Sequence, residues 1–125
     1  MKIILDTHVF LWAIADTGKL SAEWRFAIES QANQIYLSAV SVAEIMIKSS
    51  IGKLNVDFDP VDIADKSGFD LLDFTAADAL LLQDMPFHHR DPFDHMLIAQ
   101  SIQNRFHLMT NDSKFHLYDC QLIGC

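Results

Sequence analysis

The sequence predicts an α/β fold built on a mostly parallel sheet of four to five strands, covered by helices on both faces. Three observations carry that expectation. Short apolar runs alternate with helix-period segments along the whole chain, the pattern of strands joined by helical crossovers. The first run, Ile3-Ile4-Leu5, is apolar without interruption, as suits a strand buried on both faces. That run ends in a carboxylate, Asp6, at the edge of the sheet where α/β proteins gather their ligands.

Each element has its own local reason. Ile3-Ile4-Leu5 reads as the first strand, and His8 to Ala15 as the first helix. Asp16-Thr17-Gly18 is a turn, with Gly18 suited to a helix end. Ser21 caps a second helix to about Gln31, with Trp24, Ala27 and Ile28 spaced along its buried face. Ile35-Tyr36-Leu37 is the second strand. Ser41 opens a third helix that runs through Ile51 and stops at Gly52. Asp59 and Pro60 start a short fourth helix, proline being favoured at the first helical position, and Ser67-Gly68 ends it. Phe69 to Phe74 is a half-alternating third strand. Thr75 begins a fifth helix that Pro86 terminates. His88-His89-Arg90 is a polar loop. Asp91 and Pro92 then begin a sixth helix to about Asn104, apolar almost all round and therefore buried. His107 to Thr110 is the fourth strand, and Gln121-Leu122-Ile123 is a candidate edge strand.

Composition narrows the function classes. The 125 residues fit one domain with a single sizeable core. Seventeen acidic residues against nine Lys and Arg give a net charge of −8. That excludes binding of nucleic acid through a broad basic face. It leaves open a nuclease whose phosphate contacts run through metal ions. Cys120 and Cys125 lack zinc-ligand spacing and would close only a trivial loop, so a reducing cytoplasm is expected. Asp6 and His8 interrupt the apolar start of the chain, which argues against a signal peptide. No apolar stretch approaches the length needed to span a membrane.

The acids are the candidate chemistry. Four helices start with a short polar residue followed three positions later by an acid: Ser41…Glu44, Asp59…Asp62, Thr75…Asp78 and Asp91…Asp94. Helix capping accounts for Asp62 and Asp78. Glu44 and Asp94 differ by context. The third helix follows a strand closely, and the sixth is so apolar that an acid in its first turn is sheltered and needs a partner. Asp112 follows the fourth strand as Asp6 follows the first. Asp6, Glu44, Asp94 and Asp112 therefore converge at one end of a parallel sheet. Two such charges about 4 Å apart repel by about 4 kcal/mol at an effective dielectric near 20. The cluster needs shared protons or a cation, and oxygen-only ligands favour Mg²⁺ or Mn²⁺ over zinc.

Leu5-Asp6-Thr7-His8, Ser41-Val42-Ala43-Glu44-Ile45, Arg90-Asp91-Pro92-Phe93-Asp94 through Gln100, and Thr110-Asn111-Asp112 together resemble the PIN-domain ribonucleases. More narrowly they resemble the VapC-type toxins of toxin–antitoxin pairs. The resemblance covers nearly the whole chain in order, and the Asp-Pro-Phe-Asp segment is its most specific part. It implies a three-layer α/β/α fold with strand order 3-2-1-4-5. It also implies an acidic site at Asp6, Glu44, Asp94 and Asp112 and Mg²⁺- or Mn²⁺-dependent hydrolysis of RNA. A homodimer and a small antitoxin covering the pocket follow by the same analogy.

Neighbouring residues have two readings each. Thr7 and Thr110 can bond the adjacent carboxylates or a phosphate, or simply shape turns after strands. Asp91 caps the sixth helix or assists the metal. His88, His89 and Arg90 meet the RNA backbone or form a solvated loop. Lys48, four residues after Glu44, fits a helix-surface ion pair. Phe10, Trp12 and Trp24 fit core or dimer packing better than base stacking. Two rival functions stand beside the nuclease. One is a His/Asp metallohydrolase built from His88, His89, Asp91, Asp94 and His95, although no zinc-type His pairing is present. The other is a non-catalytic binding module of the same fold. A haloacid-dehalogenase-type phosphatase would need an acid where His8 stands.

Overall fold

Strand β1 (Lys2–Leu5) is the first element of the chain and the centre of its sheet. The computed structural model describes residues 1–86 and 91–123. Around β1 run β2 (Gln34–Ser38), β3 (Asp70–Leu72), β4 (His107–Met109) and β5 (Leu122–Ile123), in the order 3-2-1-4-5. All four pairings are parallel: Ile3 stands opposite Ile35 on one side and His107 on the other. All five strands therefore point their carboxyl ends at the same edge.

Alternation in β1 builds two cores. Ile3 and Leu5 enter one apolar cluster with Ile35, Leu37 and Met109, while Ile4 enters a second with Leu108. Helices α1 (Thr7–Ala15), α2 (Ala22–Glu29) and α4 (Pro60–Lys66) cover the first face, bringing Val9, Phe10, Trp24 and Ala64. Helix α6 (Pro92–Asn104) covers the second through Leu97 and Ile98. Each fully buried side chain of this size contributes about 1.5–3 kcal/mol, so the sheet is clamped from both sides. Phe10 and Trp24 are buried core residues and Trp12 packs beside them, which is the packing reading of the aromatics. Among the described residues, no helix is long and apolar enough to cross a membrane.

Helix starts follow capping chemistry. The Ser21 hydroxyl accepts from the Trp24 N–H, and the Asp59 carboxylate from the Val61 N–H. Helix α2 ends at Glu29, slightly short of the expected Gln31. Helix α5 (Ala76–Leu80) is far shorter than the apolar pattern to Pro86 predicts. Beyond Leu80 the backbone tightens into three-residue turns, with Leu81 N–H donating to Asp78 and Leu82 N–H to Ala79.

Helix α3 (Ala39–Ser50) corrects the sequence reading more substantially. Its cap is Ser38, the last residue of β2, whose hydroxyl accepts from the Val40 N–H at 3.0 Å. Strand and helix are joined without a loop, so Ser41 lies inside the first turn and Glu44 deeper still. The Ser41…Glu44 pair is therefore no capping device. Ser38 also donates to Gln100 Oε1 of α6, and Gln100 Nε2 donates to the Asp73 carbonyl. That buried amide ties three elements together at the carboxyl edge of the sheet.

Candidate functional site

Asp6 is fixed where β1 ends. Its N–H donates to the Met109 carbonyl at 3.0 Å, carrying the β1–β4 pairing one residue further. This places Thr110 alongside, and the Thr110 hydroxyl donates to Asp6 Oδ2 at 2.7 Å. The same hydroxyl oxygen accepts from the Asp112 N–H at 3.1 Å, so one threonine organises two of the expected acids. Asp112 in turn accepts from the Lys114 N–H and caps the short 3₁₀ turn Ser113–Leu117. Burial pushes the Asp6 carboxyl above its ordinary value, and Glu44 adds to the rise. The Thr110 bond and His8 oppose it.

Glu44 is buried at 3% exposure, on α3. The Thr7 hydroxyl lies 2.7 Å from Glu44 Oε1 and 2.8 Å from Ser41 Oγ. A hydroxyl has one proton, and the carboxylate is the stronger acceptor, so Ser41 can satisfy Thr7 with its own proton. The other carboxylate oxygen, Oε2, is held by the Lys48 ammonium. Lys48 is thus not an ordinary surface partner: it neutralises an acid that burial alone would disfavour. Glu44 holds its proton affinity above the usual lysine value, and the charges of Asp91 and Asp94 add to this.

Asp94 joins these groups from the first turn of α6. Its carboxyl is pushed up to about 8, first by burial and then by the charges of Asp91, Asp6, Glu44 and Asp112. The acids singled out in the sequence are therefore near enough for the charges of Asp6, Glu44 and Asp112 to bear on Asp94. Asp91 has both of its expected roles available: its carboxylate accepts from the Phe93 N–H at 2.9 Å as the α6 cap, and its charge bears on Asp94.

Other candidates have different partners or fall outside the described residues. His95 meets the Tyr118 hydroxyl at 3.1 Å through Nε2. His88, His89 and Arg90 lie outside the described residues, as does Cys125. The Cys120 thiol is half-buried, and burial pushes it up to about 11. Asp62 pairs with Lys66 at the surface, and Asp78 is held in a capping box with Thr75. The contributions of Ser41, Ser38 and Gln100 were not legible as site chemistry. Ser41 and Lys48 flank Glu44 at three and four residues, on one helix face, and that spacing was the available signal.

Among the described residues, no group of three or more His, Cys, Asp or Glu side chains has, as it stands, the arrangement to hold a metal ion. Lys48 occupies one Glu44 oxygen. The donor chemistry nonetheless fits a hard divalent cation. The converging groups are carboxylates, and their charges add to the burial that raises Asp94.

Comparison with known proteins agrees with this architecture. No curated protein matches the chain. Three solved structures share its fold: VapBC2 from Rickettsia felis bound to a promoter DNA fragment, DNA-bound VapBC from Salmonella typhimurium, and VapBC-1 from nontypeable Haemophilus influenzae. Their TM-scores are 0.75, 0.72 and 0.68 at 19%, 14% and 18% identity. Each similarity covers 99% of this chain and 98% of the other. The PIN domain family model matches residues 3–119, and the chain therefore belongs to the PIN domain family.

Proposed function

We propose that the protein is a divalent-metal-dependent endoribonuclease, the toxin of a toxin–antitoxin pair. The observation that carries this reading is Asp94, whose proton is retained up to about 8, first because it is buried and then because the charges of Asp91, Asp6, Glu44 and Asp112 bear on it. A cluster that disfavours its own ionisation is one that a Mg²⁺ or Mn²⁺ ion relieves. Asp6, Glu44, Asp94 and Asp112 would hold the ion, which supplies an activated water and neutralises charge at the phosphate. The chain's own groups prepare for that. Thr110 orients Asp6 and fixes the backbone of Asp112, and Thr7 with Ser41 orients Glu44. Lys48 holds the remaining Glu44 oxygen until a stronger cation competes for it.

Antitoxin binding is supported by the solved neighbours, which are VapBC pairs. A homodimer in the cytoplasm is the accompanying expectation. Purified protein incubated with total RNA in Mg²⁺, in Mn²⁺ and in EDTA tests the nuclease reading directly. Cleavage with either metal and none in EDTA is expected. RNA left intact under all three conditions would favour the non-catalytic module, and cleavage that survives EDTA would remove the metal.

A further inference from the structure

A net charge of −8 leaves unexplained how a polyanionic strand comes to lie across a cluster of carboxylates. A pocket of about 350 Å³ adjoins that cluster on the side of α1 and α3. Thr7, His8, Glu44, Lys48, Lys53 and Leu54 are among its walls. Thr7 and Glu44 belong to the acid site as well, so the pocket shares a wall with it. Of the chain's nine Lys and Arg, Lys48 and Lys53 line this pocket.

Their placement is built by the end of α3. Gly52 adopts φ +78, a left-handed conformation that side chains rarely take. The chain there folds back, and the N–H groups of Lys53 and Leu54 both donate to the Lys48 carbonyl, at 2.9 and 3.2 Å. This turn brings Lys53 back beside the helix end that carries Lys48. Lys53 is exposed and makes no ion pair with a described residue. Lys48 is spent partly on Glu44, whereas the charge of Lys53 is available to a ligand.

We propose that Lys48 and Lys53 form a seat for a backbone phosphate of the RNA, one neighbouring the phosphate that is cut. The proposal rests on the nuclease reading of the acid cluster. A strand crossing that cluster carries further phosphates on either side of the scissile one, and the acids repel them. The lysine-lined pocket borders the cluster at Glu44, and its two ammonium groups outnumber that one carboxylate. An ammonium on a flexible stem contacts a phosphate as a point charge without reading the base. Capture through this seat is therefore independent of sequence, and the pocket sets which way the strand lies across the acids.

The test is binding, measured apart from cleavage. A short fluorescein-labelled single-stranded RNA is titrated with protein in Ca²⁺, and intact RNA is checked on a gel. Anisotropy is followed over a range of salt concentrations. The variants are Lys53→Gln, Lys53→Arg and Lys66→Gln, whose folding is compared by thermal melting. Lys66 is bound to Asp62 outside the pocket, so Lys66→Gln changes net charge equally without touching the seat. Lys53→Gln is expected to weaken binding about fivefold and to lower the salt slope by about 0.7, the share of one phosphate contact on a single strand. Lys53→Arg should restore both, and Lys66→Gln should resemble wild type.

Equal losses in Lys53→Gln and Lys66→Gln would overturn the proposal in favour of general charge. Wild-type affinity and slope in Lys53→Gln would also overturn it, leaving the pocket to an acidic segment of a partner protein. Wild-type protein that binds RNA through Lys53 but never cleaves it would uphold the seat and defeat the nuclease reading instead.

Discussion

Asp78 and Asp94 occupy the same local position, third in their helices, behind capping residues Thr75 and Asp91. Their surroundings are opposite. Asp78 is almost fully buried at 1% exposure, yet its oxygens are satisfied. Oδ2 accepts from the Thr75 N–H at 2.9 Å, and Oδ1 faces the Asn104 amide at 3.4 Å. Asp94 is less buried, and the charges that bear on it are four carboxylates beside the Lys48 ammonium. Burial alone does not distinguish a structural acid from a chemical one. The sign of the neighbours does: donors make a buried acid a strut, and other acids make it a site for a cation.

The largest expected break in this symmetry is in activity. Asp94→Asn keeps shape and one oxygen acceptor but removes a charge from the cluster. RNA cleavage should fall about a hundredfold or more, because a misplaced ion loses both water activation and charge neutralisation. Metal-free stability should hold or rise, since the folded protein no longer has to keep a buried carboxyl protonated or bear its charge. A destabilised but fully active Asp94→Asn protein would end its assignment to the site.

A second expectation concerns pH. The Asp94 carboxyl titrates at about 8 in the folded, metal-free protein against an ordinary 3.8. Between those values the folded state holds a proton that the unfolded state has released. Stability measured in EDTA should therefore decline as pH rises through that window. Binding a metal requires the proton to leave, so affinity for Mn²⁺ should gain about tenfold per pH unit up to about 8. Melting curves with and without Mn²⁺ at about pH 6 and about pH 8 measure both trends, and a metal-induced shift that does not grow with pH would contradict the account. Asp94→Asn should flatten the decline.

The smallest effects lie on the structural side. Asp78→Asn leaves one acceptor where two are used and turns an amide towards Asn104. A loss of about 1–2 kcal/mol in chemical unfolding is expected, with cleavage per folded molecule unchanged. Asp62→Asn breaks a surface pair with Lys66 and should alter neither quantity measurably. An inactive but folded Asp78→Asn would erase the distinction between the two acids.

Periodicity made the layers legible. The unbroken Ile3-Ile4-Leu5 run marked a strand buried on both faces, and its two cores bear that out. Boundaries were harder to read. Ser38 ends β2 and caps α3 at once, and a residue with both duties looks from sequence like one more strand position. Leu80, Leu81 and Leu82 prolong an apolar pattern, yet Leu80 is 78% exposed and the helix ends there. The candidate acids could be named because they follow strands or open a sheltered helix. What holds them could not: Thr110 reaches Asp6 across 104 residues, and Thr7 reaches Glu44 across 37. Such partners are set by strand order, which local patterns do not encode.

The central place of β1 has a consequence for synthesis. Strand β1 must wait for β4, more than a hundred residues later, before its second neighbour exists and Asp6 meets Thr110. Pairings this distant close late, after local helices have formed. A chain still emerging from the ribosome, with Asp94 and Asp112 not yet translated, carries only part of the acid cluster. If that cluster cuts RNA, the machine that makes it works beside an unarmed polypeptide until Asp112 has been added. The order of strands thus acts as a delay fuse.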